Sequence, residues 1–432
     1  MKLNYKRTIL IGFAFMAISA FWQMYDSIIP LILKYTFSLG ETVTGVIMAA
    51  DNVLALFLLP LFGVWSDRCN HKLGRRSPFI YIGTVLSIAF LLLLTVADKP
   101  DSLYLFIGIL FLLLLSMSFY RSPAVALMPD LTPPPLRSKG NAVINLMGAV
   151  GFIYALVMIK VLGGNAAKRP SYLPLFLAIG VLMLISIIVL AFTIHERKLV
   201  AQVNEECRAA GISMDATEPE VKKAGTRTKL SRPVRISLVA LLMSVAFWYI
   251  AYNAVTTAFS RYATNQWNIG SNYADCLLIA SIAAVISYLP IGILSGKIGR
   301  KKMILIGVIV MAISYASMIF YTSYHFTATI FFALIGFGWA AINVNSLPMA
   351  VDMCDAEDVG RFTGYYYTFS MAAQVITPIA SGALLEHVSY RTLFPYAVFF
   401  MICAFISMQF VKHGDSRPDA KGSLLEHFDA GD

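Results

Sequence analysis

Residues 63–80 read GVWSDRCNHKLGRRSPFI. An apolar run ends at Trp65, a compact charged segment follows, and a second apolar run starts at Pro78. Gly63 and Gly74 allow close backbone approach. Asp67 and the cations Arg68, Lys72, Arg75 and Arg76 can tie helix ends together at a membrane surface through charge-assisted hydrogen bonds. A single stretch of this kind could be an ordinary loop. Residues 292–302, GILSGKIGRKK, repeat the pattern between two further apolar runs, which argues against that reading.

Outward from these loops the chain is apolar. Its 432 residues are 58% hydrophobic and 13% charged, with a mean hydropathy of +0.71. A soluble protein cannot hide so much apolar surface, whereas a bilayer can, at about 20 residues per spanning helix. The pattern predicts an all-α integral membrane protein with helices at 8–33, 42–65, 78–97, 102–128, 140–162, 172–194, 235–261, 272–295, 302–322, 326–350, 362–385 and 392–411. The first apolar run is too long for a cleavable signal and carries Asp26, so no cleaved leader is expected.

With the N-terminus inside, 26 of the 34 Lys and Arg fall on the cytosolic side, five outside, and Arg121, Lys160 and Arg261 within helices. This asymmetry predicts cytosolic termini. It also assigns the net charge of +10 to loops and excludes a nucleic-acid partner. Five cysteines offer no disulfide framework. Cys69, Cys207 and Cys354 are expected in cytosolic loops.

The expected organisation is a six-helix bundle over 1–194, a cytosolic linker over 195–234 with a short surface helix at its start, a second bundle over 235–411, and a mobile tail over 412–432. The halves repeat. Trp22 and Trp248 are 226 apart, Arg121 and Asn343 222, Asp130 and Asp352 222, Arg137 and Arg361 224, and the two loops 229. Offsets that drift so little argue for duplication.

The spacing of Gly, a small or acidic residue four on, and Gly-Arg-Lys or Gly-Arg-Arg resembles the signature loop of the major facilitator superfamily. The form of 63–80 is similar to that of the sucrose–proton symporters and the wider glycoside–cation symporter group. The resemblance implies twelve helices in two pseudo-symmetric bundles, with every third helix facing lipid and the others lining a cavity. The chain departs from the family in three places. Gly296 stands where the second loop would carry its acid. Leu58 and Leu59 precede the Pro60–Gly63 end of the second helix, where melibiose-type carriers have acids, which argues against a sodium site. Plant sucrose symporters have an acid on helix four and an arginine on helix five, whereas this chain has Arg121 and Asn145.

Polar residues inside the helices mark candidate sites. Trp22, Gln23 and Asp26 can share one face of the first helix and offer a sugar an apolar ring and hydrogen-bonding groups; an interfacial aromatic belt is the alternative. Asp51, with Asn52 beside it, lies roughly 14 Å below the outer surface. A carboxylate in hydrocarbon keeps its proton unless a cation faces it, so Asp51 and Asp26 are candidate proton carriers, or else structural hydrogen bonders. Arg121 needs an anion, and these acids are its natural partners in coupling or in a fixed ion pair. In the second half Trp248, Tyr252, Asn253, Trp339, Asn343, Asn345 and Gln374 could shape a sugar site or pack helices. Gly63, Asp67, Gly74, Arg75, Arg76, Asp130, Arg137, Gly299, Arg300, Asp352 and Arg361 form the expected inner gate, Asp67 pairing across the halves.

These residues and the resemblance predict a sugar transporter of the sucrose or α-glucoside type, proton-coupled and working by alternating access. An exporter of another solute and a non-transporting sensor are the rivals. No metal, cofactor or enzymatic centre is expected. The expected partners are sugar, protons and membrane lipid, and the expected state is a monomer.

Overall fold

The computed structural model describes residues 3–133, 136–209, 231–353 and 359–415. Twelve of the described helices are long and apolar enough to cross a bilayer. Those of the first half are α1 (Tyr5–Tyr35), α2 (Glu41–Asp67), α3 (Ser77–Ala97), α4 (Leu103–Asp130), α5 (Arg137–Leu162) and α6 (Leu173–Thr193). The shorter α7 (Glu196–Ala209) follows. The second half has α8 (Arg232–Tyr262), α9 (Tyr273–Ile298), α10 (Arg300–Met318), α11 (Thr327–Val351), α12 (Val359–His387) and α13 (Leu393–Gln409). The rest of the expected linker (210–230), Cys354 and the tail beyond Asp415 lie outside the described residues.

Proline marks helix starts: Pro78, Pro174 and Pro233 occupy first turns, where the missing N–H costs nothing. Pro30, Pro60, Pro290 and Pro378 lie within helices, as spanning segments tolerate. Apolar residues three to four apart stay exposed, such as Ile82, Val85 and Leu86 on α3 and Phe399, Ile402 and Ile406 on α13. Such stripes suit lipid rather than water.

The chain divides into two compact units. Unit 1 is Met1–Leu39 with Ala50–Thr217, and unit 2 is Gly40–Ala49 with Glu218–Asp432. Helix α2 therefore contributes its first turns to unit 2. A Cβ on Gly45 would lie 2.1 Å from the carbonyl oxygen of Pro378, so glycine lets this end of α2 lie backbone to backbone on α12.

In unit 1, α1 packs on α5 and α6, and α3 packs on α4 and α6. Two polar contacts add to this packing: the Tyr120 hydroxyl on α4 donates to the carbonyl of Ala14 on α1 at 2.9 Å, and Ser87 Oγ on α3 donates to Ser116 Oγ on α4 at 3.0 Å. In unit 2, α11 packs on α9 and α10, and α8 packs on α12 and α13. Ser407 Oγ donates across the α8–α13 contact to the carbonyl of Ala240 at 2.7 Å. Ala284, Ile291, Met303, Ala340 and Ala341 fill the core of α9, α10 and α11.

Candidate functional site

In unit 1, α1, α2 and α4 bring together the polar groups expected in mid-membrane. The Arg121 guanidinium carbon sits 5.8 Å from the centroid of the Trp22 ring, within cation–π range. Asp51 lies within electrostatic reach of both Arg121 and Asp26. Asp51 Oδ1 accepts from the Asn52 backbone N–H at 2.6 Å and from Asn52 Nδ2 at 2.8 Å. Trp22, Asp26, Asp51, Asn52 and Arg121 are all half-buried. Among the described residues, the Trp22 Nε1 and the Tyr25 hydroxyl are buried donors without a hydrogen-bond partner. Such groups are costly unless something meets them, and a ligand hydroxyl or water would.

Gln23 does not join this face. It is 5% exposed, and its Nε2 donates to Ser27 Oγ at 2.8 Å on the same helix. Satisfying its amide within α1 is cheaper than aiming it outward unpaired.

In unit 2 an aromatic platform replaces the charges. Tyr252 and Trp339 stack face to face, with centroids 3.7 Å apart and planes 3° apart, and Tyr249 meets Trp339 edge-on at 5.3 Å. Asn253, Asn343 and Gln374 are half-buried near the middle of α8, α11 and α12. Asn253 Nδ2 is a buried donor with no partner among the described residues. Trp248 (0% exposed) and Asn345 (1%) are packed inside the unit, and Asn345 Nδ2 donates to the carbonyl of Ala341 at 2.8 Å. Both serve packing rather than an open surface.

The charges expected at the gate also assemble within each unit. Arg76, 6% exposed, pairs with Asp130 (2.9 Å) and Asp67 (2.5 Å) and donates to Ser66 Oγ. Ser66 Oγ in turn donates to the carbonyl of Gly63 at 2.9 Å. Asp67 thus meets the arginine of its own loop. Asp130 is held by Arg76 and by Arg75 at 3.4 Å, and Arg137 Nε donates to the carbonyl of Thr132 at 3.4 Å. In unit 2, Asp352 forms an ion pair with Arg300, and Arg361 Nε donates to the Tyr365 hydroxyl at 2.9 Å. Each loop arginine therefore reaches the acid at the C-terminal end of the helix that follows its own, which sequence spacing alone did not assign.

Three charged groups were given no role or partner by the sequence reading. Arg261 on α8, 1% exposed, is paired with Glu41 at 2.6 Å, and the Tyr390 hydroxyl donates to the same carboxylate. An arginine inside a spanning helix had announced that an anion must exist. The third is Glu196, the first residue of α7 and 2% exposed. Its only sequence signal was an acid placed directly after a spanning helix. Cys207, expected in a cytosolic loop, is 1% exposed on α7, whereas Cys69 is half-buried.

Family comparison matches the Major Facilitator Superfamily over residues 11–270 and 249–427. The chain belongs to that superfamily. Its members are secondary transporters. The sucrose transport protein SUC3 of Arabidopsis thaliana is 29% identical over 151 residues, covering 31% of this chain and 25% of that protein. Proton-associated sugar transporter A of Homo sapiens is 25% identical over 277 residues, covering 57% of this chain and 36% of that protein. The chain thus matches well under half the length of these two carriers. A multi-drug resistance efflux pump PmrA homolog of Lactococcus lactis is 22% identical, with 90% of each chain covered. Among solved structures, nucleoside transporter NupG superposes with a TM-score of 0.66 at 16% identity, covering 95% of this chain and all of that one, a likeness of fold.

Proposed function

We propose that the chain is a secondary transporter that moves a sugar across the cytoplasmic membrane by alternating access, in symport with protons and with both termini in the cytosol. The observation that carries this reading is the set on α1, α2 and α4: two carboxylates, one guanidinium and an indole brought together inside spanning helices of unit 1. A carboxylate that exchanges a proton for a guanidinium is the simplest device for coupling proton entry to solute binding. In unit 1 the indole of Trp22 supplies an apolar face and Asp26 a hydroxyl partner; in unit 2 Asn253, Asn343 and Gln374 supply hydroxyl partners and the Tyr252–Trp339 stack an apolar face. The similarity to sucrose and proton-associated sugar carriers supports the same substrate class.

A second reading is export of an amphiphilic solute, favoured by the efflux-pump homologue that spans 90% of the chain. Purified protein in proteoliposomes separates the two. Sugar symport predicts counterflow of labelled sucrose or maltose, and accumulation when the lumen is made alkaline. Transport of cationic dyes with no sugar counterflow would replace the sugar reading with the export reading.

A further inference from the structure

The third helix of each bundle starts without a side chain of its own to cap it. Helix α3 begins at Ser77 after Arg76, and α10 begins at Arg300 after Gly299, and neither preceding residue caps with its side chain. A helix start leaves N–H groups unsatisfied and carries partial positive charge, so it calls for an anion.

In unit 1 that anion is Glu196. Its carboxylate accepts from the backbone N–H of Arg75 (2.7 Å), of Arg76 (3.0 and 3.1 Å) and of Ser77 (2.8 Å), and from Ser77 Oγ (2.7 Å). Gly74, at φ +127°, makes the approach possible, since a Cβ there would lie 2.2 Å from Glu196 Oε2. Helix α7 is tied down further by Arg197, which donates to Asn70 Oδ1 at 2.7 Å, and by Glu206, 3.9 Å from Arg7.

Unit 2 reaches the same arrangement with different residues. Asp415, beyond the end of α13, accepts from the backbone N–H of Lys301 at 2.9 Å. Gly299, at φ +96°, stands as Gly74 does, with a Cβ position 3.0 Å from Asp415 Oδ1. Lys301 Nζ donates to the carbonyl of Val411 at 2.6 Å, and the Lys412 N–H donates to Ser237 Oγ at 3.1 Å, which holds the segment in place. Glu196 and Asp415 are 219 residues apart, close to the offset of the two loops.

We propose that Glu196 and Asp415 are positioning residues, each fixing the signature loop of its unit so that Arg76 and Arg300 are presented to Asp130 and Asp352. The carboxylate leaving the last helix of a bundle completes a loop that lies more than a hundred residues earlier. In unit 2, where Gly296 replaces the loop acid, Asp415 and the Asp352 partner of Arg300 are, among the described residues, carboxylates that serve this loop.

Cys69, half-buried in the first loop, reports its state. The test is the rate of alkylation of each cysteine, read by mass spectrometry on the purified full chain in lipid nanodiscs, and it needs no substrate. Glu196→Gln should raise the Cys69 rate about tenfold and leave Cys403 on α13 unchanged, while Glu196→Asp gives an intermediate rate. Asp415→Asn should leave Cys69 unchanged and raise the rate at a cysteine introduced at exposed Lys297. Where transport is measurable, both neutral variants should slow turnover without moving half-saturation. A wild-type Cys69 rate in Glu196→Gln would overturn the proposal. So would a parallel rise at Cys403, since that would mark general unfolding. If Glu196→Gln does not fold, a wild-type rate in Glu196→Asp refutes it equally.

Discussion

Replacing Glu41 with leucine should destabilise unit 2 more than any exposed ion-pair mutation could, and adding Arg261→Met should reverse most of that loss. The two side chains are 5% and 1% exposed, and their charged atoms are 2.6 Å apart. Removing one member of such a pair leaves a buried uncompensated charge, at about 3–5 kcal/mol. Here the surviving charge would be a guanidinium, which cannot escape by losing its proton. The Tyr390 hydroxyl would lose its carboxylate acceptor as well. Leucine and methionine of similar volume in place of both members should be close to neutral, because the desolvation of two charges is then also removed. The double-mutant cycle should therefore give a coupling energy of at least about 2 kcal/mol. Reversible unfolding in mixed micelles, titrated with denaturing detergent, measures it. A coupling below about 1 kcal/mol, the range of exposed pairs, would refute the claim that this contact is dry and structural.

The mid-membrane acids give a second test. Asp51→Asn should abolish pH-driven accumulation while retaining downhill exchange, and Asp26→Asn should mainly weaken binding; uphill uptake in both variants would remove these acids from coupling. A third concerns Asp98, just past the C-terminal end of α3. Burial pushes its carboxyl above the ordinary carboxylate range, against the pull of Thr36 and Arg169. Its ionised form thus costs folded stability above that raised value, and the cost vanishes below about pH 4. Asp98→Asn should raise the melting temperature near neutral pH but not in acid, and a gain independent of pH would contradict the assigned cause. Lastly, an impermeant thiol reagent should modify Cys69 only from the cytosolic side, and buried Cys207 from neither; labelling of Cys69 in intact cells would invert the topology.

Much of the fold could be read from the chain because a bilayer leaves few choices: long apolar runs must be helices, and charged loops must stay wet. Asp51 and Arg121, inside spanning helices, were legible for the same reason, since an ionisable group in such a helix needs a cause. Contacts between distant positions were not. Glu41 meets Arg261 across 220 residues and Glu196 meets Arg76 across 120, and helical periodicity says nothing about which loop returns to which helix. Side-chain direction was equally hidden. Gln23 lies within the expected arc of α1 yet turns along the helix to Ser27, a choice made by the packing around it.

The neighbours of Trp22 and Trp339 make these two indoles optical instruments already installed in the protein. One lies against a fixed guanidinium, whose field acts on the excited-state dipole, and the other lies 3.7 Å from a phenol ring that can quench it. A solute that displaces either neighbour must change the colour or yield of emission. Unmodified protein, titrated with unlabelled compounds in a fluorimeter, would thereby report what it binds without any label or vesicle.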